Sequence, residues 1–172
     1  MVAGHAGLAL LAKAARPRIR IAVLLPITFA PDILESLFDV LGHHNRELSH
    51  SLVSVGLGAT IVAIIYFLTT RATSEAFVVW LTYVSHWPAD FITGIKPTWP
   101  GGPDVGMHLY ERPLADAVLE CAIVVACWIV YRRSRIRSVA PAAPGRTATP
   151  LVPIGLVVVQ IVFDVIQQRL MA

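Results

Sequence analysis

The stretch 51–70 contains no charged side chain. The hydrocarbon core of a bilayer is about 30 Å thick, so a helix that crosses it needs roughly 20 apolar residues. In lipid the backbone must satisfy its own hydrogen bonds, and an α-helix does so within one segment. The stretch therefore predicts a transmembrane helix, and the rest of the chain must fold around it.

Four further stretches have the length and apolar composition of a span, although each contains ionisable residues: 20–41, 76–95, 114–131 and 151–167. A shorter apolar segment, 2–15, is a sixth candidate. Only 15% of the residues are charged, whereas soluble domains average about 25%. The predicted fold class is all-α, a polytopic transmembrane helical bundle of five to six membrane helices.

Basic residues are concentrated in segments that alternate spans place on one side of the membrane. These segments are 13–20, Arg71 and 132–146, whereas the loops 42–50 and 96–113 are nearly neutral. Because Lys and Arg accumulate in cytoplasmic loops, the basic side is predicted to be cytoplasmic. The net charge of +3 is thus a topology signal, and no nucleic-acid partner is expected.

Three regions follow from this pattern. Residues 1–131 are predicted to form the transmembrane bundle, 132–150 a basic cytoplasmic linker rich in Pro and Ala, and 151–172 a C-terminal transmembrane helix. The outer loop 96–113 holds four prolines and three glycines. It is long enough to fold over a site as a cap.

His86 and Asp90 lie inside the predicted span 76–95. Ionisable groups at membrane depth are costly, so they usually face the bundle interior and mark function. A spacing of four residues places both on one helix face, where they could chelate one cation. The same pair could instead be a hydrogen-bonded contact that joins two helices.

Other ionisable groups are expected at a similar depth. At 1.5 Å rise per residue, Asp32 lies roughly 18 Å above the basic boundary at Arg20, and His50 lies at the outer end of its span. His5 joins them if 2–15 is a tilted helix with its N-terminus outside. The residues predicted to converge on one metal ion are therefore His5, Asp32, His50, His86 and Asp90. The prolines at positions 31 and 88 predict bends that open space there.

Simpler interpretations suffice for the remaining polar groups. Loop histidines are more often solvated than ligating, which applies to His43, His44 and His108. Asp116, Glu120 and Asp164 are interpreted as helix caps at the membrane interface or as partners of arginine residues. The acidic face of Asp32, Glu35 and Asp39 could also be the wall of a solvated cavity.

The order of these motifs resembles the membrane-bound metal-dependent hydrolases, also described as LexA-binding, inner membrane-associated hydrolases. The family pattern is an N-terminal His near small residues, then Pro-Asp, then Thr/Ser-His-Ser, then Ser-His followed by Asp. This chain offers, in that order, His5, Pro31-Asp32, Ser49-His50-Ser51, and Ser85-His86 with Asp90. The resemblance covers about residues 3–131, and 85–132 also resembles a subgroup of small bacterial and archaeal membrane proteins.

Two positions depart from the family pattern. Many members have His-Arg four residues before the His-containing tripeptide, where this chain has Asn45-Arg46 with His44 one position earlier. The acidic residue expected two positions after Asp32 is Leu34 here, and Glu35 is the nearest substitute.

The resemblance implies a hydrolase of a prokaryotic cytoplasmic (inner) membrane with a divalent ion on the five predicted ligands. Nitrogen and oxygen ligands suit zinc first, with manganese or iron also compatible. Glu35 or His44 is the expected general base, and Arg46 the cation that steadies a developing anion. An outer-face site implies membrane lipids as partners and a lipid-like substrate. A phosphoester is preferred to an amide because Arg46 is the sole cation expected near the site.

Two other function classes stay open on the sequence alone. Buried His and Asp chains also move protons or ions, although short helices without repeats are a poor basis for alternating access. A scaffold whose polar residues join helices through hydrogen bonds is the third class. Substitution of His86 or Asp90 would abolish flux in the former and lower stability in the latter.

Overall fold

A computed structural model describes residues 2–138 and the single positions 155 and 158. Its helices are α1 Val2–Ala15, α2 Ile21–Thr28, α3 Ala30–Val40, α4 Glu47–His50, α5 Leu52–Thr70, α6 Thr73–Val84, α7 His86–Thr93 and α8 Pro113–Ser138. Between α7 and α8 lie two short strands, β1 Lys96–Pro97 and β2 Asp104–Val105, and a 3₁₀ helix, Leu109–Glu111. The prediction of a helical fold is confirmed for this part of the chain.

Two helices are long and apolar enough to cross a membrane, α5 and the Pro113–Ile136 part of α8. Only 11% of the apolar window of α5 is buried within the protein, and large side chains such as Leu57 and Ile61 are exposed. A surface of this kind suits lipid better than water. α2 and α3 make a third candidate span, bent by 56°. By this measure the described residues hold two or three candidate spans, and the predicted number of five to six is not reached.

The bend between α2 and α3 lies at Phe29, two residues before Pro31. Proline lacks an N–H and its ring clashes with the carbonyl four residues earlier, so a helix breaks before it. The carbonyl of Thr28 at the break accepts a hydrogen bond of 2.9 Å from Nδ1 of His86. The bend predicted from Pro31 is confirmed, and it supplies an acceptor for a histidine side chain.

The segment predicted as one span over 76–95 consists of two helices, α6 and α7, interrupted at Ser85. The interruption lies three residues before Pro88, where the missing N–H again weakens the helix. The Ser85 hydroxyl donates to the carbonyl of Thr82 at 2.7 Å. α7 then presents His86 and Asp90 one turn apart, both buried.

α1 and α8 pack closely because α1 is lined with small residues. A Cβ atom added to Gly7 would lie 3.2 Å from Cα of Val124, so the two backbones nearly touch. Small residues allow membrane helices to approach in this way.

The N-terminal turn of α1 is held by Glu120 of α8. The fully buried Glu120 accepts hydrogen bonds through Oε2 from the backbone N–H groups of Ala3 at 3.0 Å and Gly4 at 3.3 Å. These groups have no helical acceptor of their own. The interaction fixes the turn that carries His5.

The segment 94–112 folds back over α7, as predicted for a cap. β1 and β2 pair antiparallel. The N–H of Met107 donates to the carbonyl of Phe91 at 2.8 Å, and the N–H of Leu52 donates to the carbonyl of Thr98 at 3.0 Å. The cap is therefore attached to both α7 and the start of α5.

The core toward the basic segment 16–20 is aliphatic. Its fully buried residues are Ala9, Ile19, Leu24 and Val79. α8 continues past the predicted span end at 131 to Ser138. The rest of the predicted linker and the predicted C-terminal helix over 151–172 lie outside the described residues, apart from positions 155 and 158.

Candidate metal centre

Four ionisable side chains converge where α3, α4 and α7 meet. Each offers one ligand atom, and the four atoms lie within 4.8 Å of one another. The residues, called the cluster below, are Asp32, His50, His86 and Asp90. All four were predicted from the sequence as ligands of one metal ion.

The imidazole of His86 is oriented by the bend in the α2–α3 segment. Its Nδ1 donates to the carbonyl of Thr28, so Nδ1 carries a proton, and in the neutral ring Nε2 offers its lone pair to the cluster. Nε2 lies 3.2 Å from Oδ2 of Asp90 and 3.5 Å from Oδ1 of Asp32. Metal-binding histidines are commonly fixed by such a bond to the other ring nitrogen.

His50 is oriented in a similar way by its neighbours on α3 and α4. Its Nδ1 lies 2.8 Å from Oγ of Ser49 and 3.4 Å from Oε2 of Glu35. Its Nε2 lies 3.2 Å from Oδ1 of Asp32 and 3.2 Å from Nε2 of His86. Ser49 and Glu35 thus hold one ring nitrogen while the other faces the cluster.

The spacing of the ligand atoms fits a small cation. Two Nε2 lone pairs 3.2 Å apart repel each other unless a proton or a cation lies between them. Zinc bonds of about 2.0–2.1 Å in tetrahedral geometry separate ligand atoms by about 3.3 Å. The five distances that involve an imidazole nitrogen, from 3.2 Å to 3.7 Å, are close to that separation. The donor set is therefore able to hold a metal ion.

The cluster is closed on all sides but one. The side chains of His50, His86 and Asp90 are at most 5% exposed, whereas that of Asp32 is 46% exposed. Structural metal sites are closed, and catalytic sites keep an accessible position. Asp32 marks the side from which water or a ligand can reach the cluster.

The sequence did not predict that Lys96 of β1 contacts the cluster. Its Nζ lies 2.7 Å from Oδ2 of Asp90, and its side chain is only 10% exposed. The prediction that Arg46 is the sole cation near the site is therefore wrong. A lysine in a predicted loop is ordinarily solvated, and only the folding of the cap over α7 brings it to Asp90.

His5, the fifth predicted ligand, lies beside the four-residue cluster. Its Nε2 is 3.6 Å from Oδ1 of Asp90, and its ring centroid is 4.1 Å from that of His86. It is fully buried. The structure brings His5 into contact with two cluster residues. It is not one of the four residues whose ligand atoms lie within 4.8 Å of one another.

The three residues predicted for catalysis occupy different positions. Glu35 contacts His50 on the ring edge away from the cluster, and its other oxygen accepts a 2.7 Å hydrogen bond from Nε of Arg46. Arg46 is 67% exposed. His44 is also exposed and pairs with Asp39 at 3.1 Å. Glu35 and Arg46 therefore support His50, while His44 does not reach the cluster.

The other histidines and Tyr110 are not part of the cluster. His43 is exposed, and His108 pairs with Glu111 at the surface. The ring of Tyr110 packs against Gly94. Burial raises the pKa of the Tyr110 hydroxyl, so the hydroxyl stays protonated at neutral pH.

Comparison of the chain with family models, curated proteins and solved structures finds no match.

Proposed function

We propose that this chain is a membrane-bound metal-dependent hydrolase with the cluster as its centre. The observation that carries the proposal is the convergence of two imidazoles and two carboxylates, whose ligand atoms lie within 4.8 Å of one another. The motif order that resembles the membrane-bound metal-dependent hydrolases supports it.

In this proposal five to six segments cross a bilayer, two of them as broken helices. Broken spans are tolerated where protein groups satisfy the freed backbone, as His86 does for the carbonyl of Thr28. The Lys and Arg distribution favours a cytoplasmic basic side. The cluster then lies near the outer face of a prokaryotic inner membrane.

A divalent cation in the cluster would supply a Lewis acid that polarises an ester and activates water. Zinc is the first choice for this nitrogen and oxygen donor set, and manganese or iron would also suit it. Thr28, Ser49 and Glu35 orient the imidazoles. His5 is proposed as a fifth ligand, and Asp32 borders the entrance.

A lipid or lipid-linked phosphoester is the proposed substrate. α3 carries Asp32 at the entrance and exposes Ile33 and Leu37, which are 53% and 51% accessible. A headgroup can therefore reach the cluster while its acyl chains contact these apolar side chains. A soluble substrate would gain nothing from that surface.

A transmembrane proton or ion path is less well supported. Such a path needs polar groups on both sides of the cluster. Among the described residues, the core toward the basic side is aliphatic, with Leu24 and Val79 fully buried.

The metal content of the purified protein tests the proposal. The full chain, without a His-tag, is purified in detergent and analysed by elemental mass spectrometry beside His86→Ala and Asp32→Ala. We expect about one equivalent of metal in the wild type and much less in both variants, because each removes a ligand. His43→Ala is the matched control, since it removes an exposed imidazole outside the cluster.

The outcomes separate the hydrolase from the scaffold. Metal loss in folded variants supports the hydrolase, and a screen of lipid phosphoesters then follows. A wild type that stays metal-free after reconstitution with zinc and manganese excludes it. Loss of thermal stability in His86→Ala without any metal in the wild type identifies a scaffold.

A further inference from the structure

Lys96 is a buried cation with one ion-pair partner among the described residues. An ammonium group has three N–H donors, and Nζ of Lys96 lies 2.7 Å from one ion-pair partner, Oδ2 of Asp90. Within residues 2–138, no other side chain is an ion-pair partner of its Nζ. Burial of a charged group with a single ion-pair partner is costly, which favours a further, anionic partner.

The charges around the cluster leave Lys96 as a surplus positive charge. The carboxylates of Asp32 and Asp90 would balance a divalent cation. Glu35 is balanced by Arg46 at 2.7 Å. The next carboxylate, Glu120, faces the amino end of α1 and accepts two backbone N–H groups there. With a divalent ion bound, the cluster and Lys96 together carry one net positive charge.

We infer that Lys96 is the anion-binding residue of the site and that it holds an oxygen of a phosphoryl group. The inference rests on the proposed function and assigns the substrate class through one residue. Lysine binds phosphate as a point charge, and a preorganised buried cation stabilises developing negative charge better than a solvated one. A neutral amide or carboxylic ester would not use it.

The cap holds Lys96 in place for this role. β1 pairs with β2 on one side, and Nε1 of Trp87 donates to the carbonyl of Pro97 at 3.4 Å. Lys96 shares Oδ2 of Asp90 with Nε2 of His86, so its ammonium group adjoins the ligand atoms. Arg46, which is 67% exposed and bound to Glu35, is a weaker candidate.

Phosphate binding by the metal-loaded full-length protein tests the inference. Isothermal titration uses inorganic phosphate, dihexanoyl phosphatidic acid and neutral dihexanoylglycerol as probes. Lys96→Met keeps the length of the side chain and removes the charge. We expect it to retain metal and to bind both phosphate probes at least 10-fold more weakly, with binding of dihexanoylglycerol unchanged. Lys96→Arg should restore part of the affinity.

Arg112→Gln is the matched control, since it removes an exposed positive charge from the same cap. We expect its phosphate affinity to match the wild type. Tighter binding of phosphatidic acid than of phosphate by the wild type identifies a lipid headgroup as the source of the anion. Equal binding identifies a free phosphate ester, and both results support the inference.

Three results would overturn the assignment. Equal phosphate affinity in metal-loaded Lys96→Met and wild type removes Lys96 from the anion site and leaves the proposed metal centre intact. Loss of metal or of folding in both Lys96→Met and Lys96→Arg makes Lys96 structural. A wild type without metal refutes the proposed function itself, and this is visible before any phosphate is added.

Discussion

Nζ of Lys96 and Oδ2 of Asp90 form a 2.7 Å ion pair in which neither side chain is more than 10% exposed. Removing one partner of a buried pair leaves an uncompensated charge and costs about 3–5 kcal/mol, whereas replacing both can be nearly neutral. We therefore expect metal-free Asp90→Asn to unfold at a clearly lower temperature than the wild type. Asp90→Asn with Lys96→Met should recover much of the loss.

Thermal unfolding in detergent with a chelator present measures this effect. Strictly additive losses in the double variant would show that the two side chains act independently, contrary to the structure. Asp104→Asn, at an exposed position of β2, is the control for loss of a carboxylate from the same region.

The contacts at Nδ1 of His50 predict a graded effect on metal affinity. Ser49→Ala and Glu35→Gln each remove a group that orients the ring, and loss of such groups typically weakens metal binding about 10- to 100-fold. We expect weakened but detectable binding in each, and near-complete loss in His50→Ala. Competition titration with a chromophoric chelator gives the affinities. Ser74→Ala, on an exposed turn of α6, should behave as the wild type, and an unchanged affinity in Glu35→Gln would remove Glu35 from the site.

Glu120 is expected to stabilise the fold through α1. Glu120→Leu leaves the N–H groups of Ala3 and Gly4 without their acceptor, and an unsatisfied buried donor costs about 1–3 kcal/mol. We expect a large drop in the unfolding midpoint, with Glu120→Gln less affected because its amide oxygen can still accept. Glu111→Leu, in which an exposed carboxylate is lost, should change the midpoint little. Equal midpoints for the two leucine variants would contradict the role of Glu120.

The proposed topology predicts which side of the membrane each loop faces. In a background where Cys121 and Cys127 are replaced by serine, single cysteines are introduced as His43→Cys and Arg18→Cys. A membrane-impermeant maleimide added to intact cells should label position 43 and not position 18, because the proposed topology places the basic segment in the cytoplasm. The reverse labelling would place the cluster near the inner face.

Helix positions and bends were predictable because their causes are local. The uncharged run 51–70 fixed the limits of α5 to within one residue, Leu52–Thr70. The break before Pro31 follows from the missing N–H of one residue. The convergence of Asp32, His50, His86 and Asp90 was also predictable, because helix rise sets depth along each predicted span.

The surroundings of the cluster were not predictable in the same way. The burial of Lys96 depends on a cap that folds back over α7, and nothing near position 96 distinguishes it from a solvated lysine. The only available signal was its place six residues after Asp90, just beyond the end of α7. Likewise, the contacts of Glu35 with His50 and Arg46 depend on how α3 packs against α4, so its orienting role could not be separated from that of a general base.

The hydrogen bonds from Ala3 and Gly4 to Glu120 join positions 117 and 116 residues apart. Membrane helices leave the ribosome in chain order, so α1 emerges long before the carboxylate that holds its amino end. A nascent chain that has not yet produced α8 lacks the acceptor that holds the first turn of α1, which carries His5. Completion of the site is therefore a late event in biogenesis, and metal acquisition is expected to follow membrane insertion, after the topology of the earlier helices has been set.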